Sequence, residues 1–367
     1  MLVYCFASFI VFGIVLVLVG ANQTDMARDL DLDLARTGLL ASALALGIGA
    51  GVVGAGPLYD RYPRRPLFVL SMGIAGIALV GVTAEMGFGR WIAHLVVIGV
   101  GIGAYDTLIN ASVVQRFGVR SSRPMTAIHS AAAIGAIAGP FLVAAVVSDG
   151  HWTGSFRWTG AAHLALAGLA LVVAFPTPER SVGTGPRRGL GPSILPFALI
   201  AFAYVGIEAA LTVFAEPYAG FLGLDPQRGG RAISAVWLGL LIGRLAVLAL
   251  PAALDTRLLL GVGVASGAIL LGGIGWRLEA VEAVFFAVGC ALGCVYPLMI
   301  ALAGQRFPDA PGTAAGVAAG VGALGGFAVP WLTGALGDAF DAGFAIASLA
   351  LWSLLIAVAA AAARRVG

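Results

Sequence analysis

Five side chains in this sequence combine chemistry with apolar surroundings. Asp106 and Asn110 stand four residues apart in the stretch Gly99-Val-Gly101-Ile-Gly103-Ala-Tyr105-Asp106-Thr107-Leu-Ile-Asn110. On a helix that spacing stacks them one turn apart on one face. His129 lies at a comparable depth in the next apolar stretch, so two neighbouring helices could bring Asp106, Asn110 and His129 together. Glu208 falls near the middle of a later stretch, and Arg244 follows Gly243 in the one after it. An ionisable group at the centre of a bilayer costs about 2.5 to 3.5 kcal/mol on insertion scales, so each needs a partner, a wet cavity or a transported ion. A carboxyl group stripped of water crosses more readily as the neutral acid, which makes Asp106 and Glu208 proton-carrier candidates. Arg244 cannot shed its charge. It suits two-point binding of a solute carboxylate, or a reach to the membrane edge to pair with Asp255. The plainer readings are that Asp106 hydrogen-bonds a neighbouring helix and that His129 is a packing histidine.

These residues must be positioned by membrane-spanning helices. Of 367 residues, 60% are hydrophobic and 11% charged, against roughly 25% charged in soluble domains, and mean hydropathy is +0.99. Twelve apolar segments, near residues 3–21, 37–59, 66–85, 91–114, 124–148, 157–175, 192–219, 231–250, 256–276, 281–304, 312–336 and 342–363, are each able to cross a core about 30 Å thick. The expectation is an all-α polytopic membrane protein. Its basic residues are all Arg, thirteen on one set of connections and seven on the other. Because basic loops resist translocation, both termini are expected inside. The connection around 176–191 holds four prolines (with Pro192), four glycines and three arginines, a linker composition. It divides the chain into a six-helix bundle over 1–175 and another over 192–367, the arrangement that lets two halves rock about a shared site.

The sequence contains no nucleophilic triad, metal-ligand cluster or phosphate loop. No enzymatic chemistry and no cofactor are expected. Three cysteines make no disulfide framework, and a formal charge of +3 in such a chain does not speak of nucleic acid.

The loop after the second span reads Gly56-Pro-Leu-Tyr-Asp60-Arg61-Tyr-Pro63-Arg64-Arg65. It closely resembles motif A of the major facilitator superfamily, with Pro63 where that family usually has Gly. The resemblance implies two pseudo-symmetric six-helix bundles and a conformational latch at Gly56, Asp60, Arg61, Arg64 and Arg65. In it, Gly56 would admit a neighbouring helix, while Asp60 pairs with Arg or with a helix N-terminus. The corresponding second-half loop keeps only Asp255 and Arg257. The stretch around Asp106, Tyr204-Val-Gly206-Ile-Glu208, and Trp237-Leu-Gly239 with Gly243-Arg244 are similar to patterns of the fucose and glucose proton-symporter branch. The first span departs from that branch: it has no acid, and the aligned residues are Gly20-Ala-Asn22-Gln23.

The resemblance implies a secondary transporter of a small polar solute, a sugar first, coupled to protons through Asp106 and Glu208. Asn22, Gln23, Tyr105, Tyr204, Trp237, Arg244, Tyr296 and Trp331 are candidates to line a solute cavity, although aromatic side chains also serve as core packing. An organic-anion carrier using Arg244 is the alternative. A drug and proton antiporter is another, suggested by Gly135-x-x-x-Gly139-Pro140, and a membrane receptor or scaffold is the reading outside transport. The glycine stripes at 99, 101 and 103 and at 312, 316 and 320 are expected to admit close helix packing. The expected partners are solute, protons and lipid, with no nucleic acid, for a monomer in a bacterial inner membrane.

Overall fold

The computed structural model describes residues 1–117, 122–148, 151–175, 191–247, 256–275, 279–307 and 311–366. Among these residues the secondary structure is helical throughout. In chain order the helices are α1 (Leu2–Ala21), α2 (Gln23–Leu30), α3 (Leu34–Arg61), α4 (Arg64–Val80), α5 (Phe88–Phe117), α6 (Ser122–Ser148) and α7 (Thr153–Ala170). A 3-10 turn (Pro192–Ile194) then leads into α8 (Leu195–Phe221), α9 (Pro226–Val247), α10 (Thr256–Gly275), α11 (Val281–Gly293), α12 (Val295–Arg306), α13 (Pro311–Ala339) and α14 (Ala342–Val366). Among the described residues each expected span is largely helical, and eight helical stretches are long and apolar enough to cross a membrane on that ground alone.

Two features exceed a plain twelve-helix count. The tenth span is two helices, α11 and α12, meeting at Cys294. Pro297 lacks an N–H and its ring opposes the carbonyl four residues back, so the ladder breaks there. The other is α2, a short polar helix in the first connection. The Trp152 indole donates to its Asp29 at 2.8 Å, and His151 Nε2 stands 3.1 Å from the same carboxylate. The hydrogen bond from Trp152, helped by Arg28, holds the Asp29 carboxyl below the usual aspartate range.

The chain forms two compact units. One comprises Met1–Asp31 and Ala43–Gly183, the other Leu32–Ser42 and Thr184–Gly367. The expected linker, 176–191, falls almost wholly outside the described residues. Within the first unit α1 packs on α6 and α4 on α7, and glycine contacts seat α3 on α5; within the second, α8 packs on α13, α9 on α11, and α10 on α14. The second set repeats the first in the same order along the chain, an internal repeat expressed in pairing. The start of α3 belongs to the second unit, where Asp338 accepts hydrogen bonds from the backbone N–H of Leu34 at 2.9 Å and of Ala35 at 2.7 Å.

Glycine makes these pairs close. A methyl group built on Gly47 would run into the Val96 carbonyl oxygen, and one on Gly103 into that of Ile48, so α3 and α5 touch backbone to backbone. Gly239 and Gly243 of α9 do the same against Phe286 and Cys290 of α11. Inside a bilayer this contact matters because no hydrophobic drive distinguishes a helix neighbour from lipid. The stripe at Gly99, Gly101 and Gly103 is used in this way. Three other expectations are not met: Gly56, Gly316 and Gly320 face open space among the described residues, and no described helix lies against Gly56. Surroundings of Gly312 lie outside the described residues.

Candidate functional site

In the first unit α5 and α6 bring together a polar group expected from their sequences. Asn110 Nδ2 donates to Asp106 Oδ1 at 3.0 Å, one helical turn apart. The Asn110 carbonyl oxygen lies 3.2 Å from His129 Nε2 on α6. An amide oxygen only accepts, so Nε2 carries the hydrogen in this arrangement. The His129 ring packs edge-on against Phe9 of α1, with centroids 4.9 Å apart. Asn110 thus links the carboxyl to the imidazole through its amide.

Tyr105, the neighbour of Asp106, points elsewhere. It is fully buried, with its hydroxyl 3.2 Å from Nε2 of His163 on α7. His163 Nδ1 faces the Thr159 carbonyl at 2.9 Å. A carbonyl accepts, so Nδ1 donates and Nε2 accepts from tyrosine. Tyr105 therefore belongs to the unit's packing and not to a solute-lining surface. His163 escaped notice in the sequence because nothing marks it apart from an ordinary apolar span. Asn22 and Gln23 are also buried. Asn22 donates to the Leu18 carbonyl at 2.7 Å and to Ser155 at 3.1 Å, tying the end of α1 to α7.

In the second unit the two charged residues read as separate features in the sequence form one cluster. Arg244 Nη2 on α9 lies 2.9 Å from the Tyr204 hydroxyl and 3.2 Å from Glu208 Oε2, both on α8. Tyr204 donates its own hydrogen to the same Glu208 oxygen. Glu208 is therefore not a lone acid. Nor does Arg244 need a partner at the membrane edge, where Asp255 lies outside the described residues. The pair is largely enclosed, with 18% of the Arg244 side chain and 16% of the Glu208 side chain accessible. Among the described residues both Arg244 hydrogen bonds leave from Nη2, so Nε and Nη1 stay available.

Aromatic rings frame this cluster. Tyr296 packs beside Tyr204 with centroids 5.7 Å apart, and the Arg244 guanidinium carbon lies 6.0 Å from the centre of Trp237. Trp237 is 3% exposed, with its indole N–H on Thr212 Oγ1 at 3.1 Å. It therefore buttresses the arginine and offers little free face to a sugar ring. Trp331 stands half exposed on α13, outside this hydrogen-bonded group.

The loop resembling a latch is built differently from its sequence expectation. Arg64 is buried, its guanidinium 3.9 Å above the Tyr59 ring. Both Tyr59 at 2.7 Å and Arg64 at 3.3 Å donate to the side-chain oxygen of Gln115 on α5. Arg65 reaches the Val173 carbonyl at 3.4 Å, and Arg61 is exposed. The Asp60 side chain lies outside the described residues. Gln115, which anchors the cluster, carries no charge to single it out in the sequence.

Comparison with known proteins agrees with this architecture. Residues 4–330 match the family described as the Major Facilitator Superfamily. The chain is 26% identical over 357 residues to a probable nitrate/nitrite transporter of Mycobacterium tuberculosis, NarK2, covering 91% of this chain and 88% of that one. It is 26% identical over 155 residues to an uncharacterised MFS-type transporter of the same organism, with 42% of this chain matched and only about a quarter of the relative's length spanned. Among solved structures, a D-xylose-proton symporter superposes with a TM-score of 0.78 at 16% identity, covering 97% of this chain and 95% of that one.

Proposed function

The chain belongs to the major facilitator superfamily, a family of membrane transporters and not enzymes, and from that premise we propose that it moves a small polar solute together with protons by alternating access. A sugar-like solute is the first choice. One observation carries the reading: among the described residues, each unit holds a carboxyl group within a helix of membrane-spanning length, engaged by partners that suit a change of protonation. Asp106 shares Asn110 with His129, and Glu208 is held by Arg244 and Tyr204. An ionised acid stripped of water resists crossing, and protonation with solute bound removes that resistance, so the two events license one conformational step. With Glu208 ionised the second-unit cluster is formally neutral, which suits a hydroxylated solute able both to donate to the carboxylate and to accept from the guanidinium. The fold shared with a D-xylose-proton symporter is in keeping with this choice.

A second reading, transport of a small oxyanion, is favoured by the Nε and Nη1 donors of Arg244 that no described residue engages: either completes a two-point fork for a carboxylate or nitrate with Nη2 once Tyr204 and Glu208 release it. The probable nitrate/nitrite relative points the same way. Here protonation of Glu208 would free Arg244 for the anion.

Both readings place the termini and the arginine-rich connections on the inner side of the membrane. Purified protein in liposomes with an alkaline interior tests them together. Accumulation of D-xylose or another sugar above its external concentration supports the first reading; accumulation of nitrate or acetate without sugar uptake supports the second. Accumulation that ignores the pH gradient contradicts proton coupling in either.

A further inference from the structure

Arg244 can meet Tyr204 and Glu208 only if α9 keeps one rotation about its axis. Its opposite side is fixed by glycine: Gly239 and Gly243 lie directly against the backbone of α11, with Gly289 and Gly293 answering from that helix. That seam permits close approach but carries no directional bond. Directionality comes from the face toward α8. There the Trp237 indole N–H meets Thr212 Oγ1 at 3.1 Å, two turns from Arg244 on the same face of α9.

The hydroxyl of Thr212 has a fixed sense. Its hydrogen is committed to the Glu208 backbone carbonyl at 2.8 Å, which leaves a lone pair for the indole, a donor with no other role. Both Thr212 and Trp237 are buried, at 2% and 3% exposure, so water does not substitute readily for either partner. The ring held in this way lies under the guanidinium of Arg244. We infer that Thr212 is a positioning residue: through Trp237 it sets the rotation of α9 and thereby delivers Arg244 to Tyr204 and Glu208, where solute is received. The inference rests on the reading of that cluster as a solute site, yet its geometry is testable with no solute.

Phenylglyoxal modifies guanidinium groups that escape their partners, and peptide mass spectrometry of the purified full-length protein reads its rate at Arg244. Exposed Arg36 provides an internal reference for the rest of the chain. Thr212→Val keeps the side-chain shape and removes the hydroxyl; it is expected to raise the Arg244 rate about tenfold, the size of one lost buried hydrogen bond, with Arg36 unchanged. Thr212→Ser restores the hydroxyl and should stay within about twofold of the parent. Trp237→Phe breaks the same tie from the other side, and combining it with Thr212→Val should add little, because the two changes remove one interaction. Should Thr212→Val fail to fold, Trp237→Phe reads the tie alone. Equal Arg244 rates in the parent, Thr212→Val and Trp237→Phe would overturn the inference, as would equal rates in Thr212→Val and Thr212→Ser. Neither proton gradient nor transport enters the measurement, so a failure of the proposed function leaves it readable.

Discussion

At the residue scale, the cluster of Arg244, Glu208 and Tyr204 joins two charges that look independent in the sequence. They lie thirty-six residues apart on different helices, and sequence spacing holds no record of how α9 is rotated against α8. The Asp106 group was easier to read because Asp106 and Asn110 share one helix, where four residues make one turn. The two members of the ion pair differ in what happens when one is removed. Deleting one partner of a buried pair costs about 3 kcal/mol or more because it strands a charge. Glu208→Gln strands a guanidinium that cannot be neutralised, whereas Arg244→Gln leaves a carboxyl group that can bind a proton. In denaturation of purified protein, Glu208→Gln should lower stability by about 3 kcal/mol wherever Glu208 is ionised in the parent, at neutral pH and above. Arg244→Gln should cost less, and the loss should shrink on acidification. Equal losses at neutral pH would contradict the charge asymmetry.

At the element scale, the sequence identified the helices and misjudged some of their faces. A small residue every fourth position has the same appearance whether it meets a helix or open space. Gly47 and Gly103 turn out to be seams, while Gly56 and Gly316 are not. That contrast fixes the sign of four substitutions. Ala at Gly47 or Gly103 drives a methyl group into a carbonyl of the partner helix, and the expected loss is about 1 to 3 kcal/mol. Ala at Gly56 or Gly316 meets none of the described residues, and relief of glycine's helical penalty favours it by up to about 1 kcal/mol. Thermal unfolding should therefore fall for the first pair and hold or rise for the second. The break at Cys294 has a sequence signal in Pro297, and the polar composition of α2 already set it apart from a span. Its docking through Trp152 was not legible, since the partner lies over a hundred residues away.

For the whole molecule, composition alone excluded a soluble fold, and the repeated pairing of helices within each unit is the form in which twelve spans satisfy their small residues. The start of α3 was assigned by the sequence to the first bundle, yet residues 32–42 group with the second unit. The cause is local: Asp338 seats the first turn of the helix, and Gly38 and Gly334 fit against α13 and α3 backbone in turn. Such contacts depend on which side of a helix a glycine faces. The proposed coupling between proton and solute belongs to the molecule as a whole, because it would require one carboxyl group in each unit to act in a common cycle.

Its most direct measurement separates movement of solute from the driving force of protons. In liposomes carrying the parent, Asp106→Asn or Glu208→Gln, solute accumulation under an imposed pH gradient is compared with exchange of labelled for unlabelled solute at uniform pH. The account predicts that each variant loses gradient-driven accumulation at least tenfold while one or both retain exchange. Undiminished accumulation in both variants would contradict it.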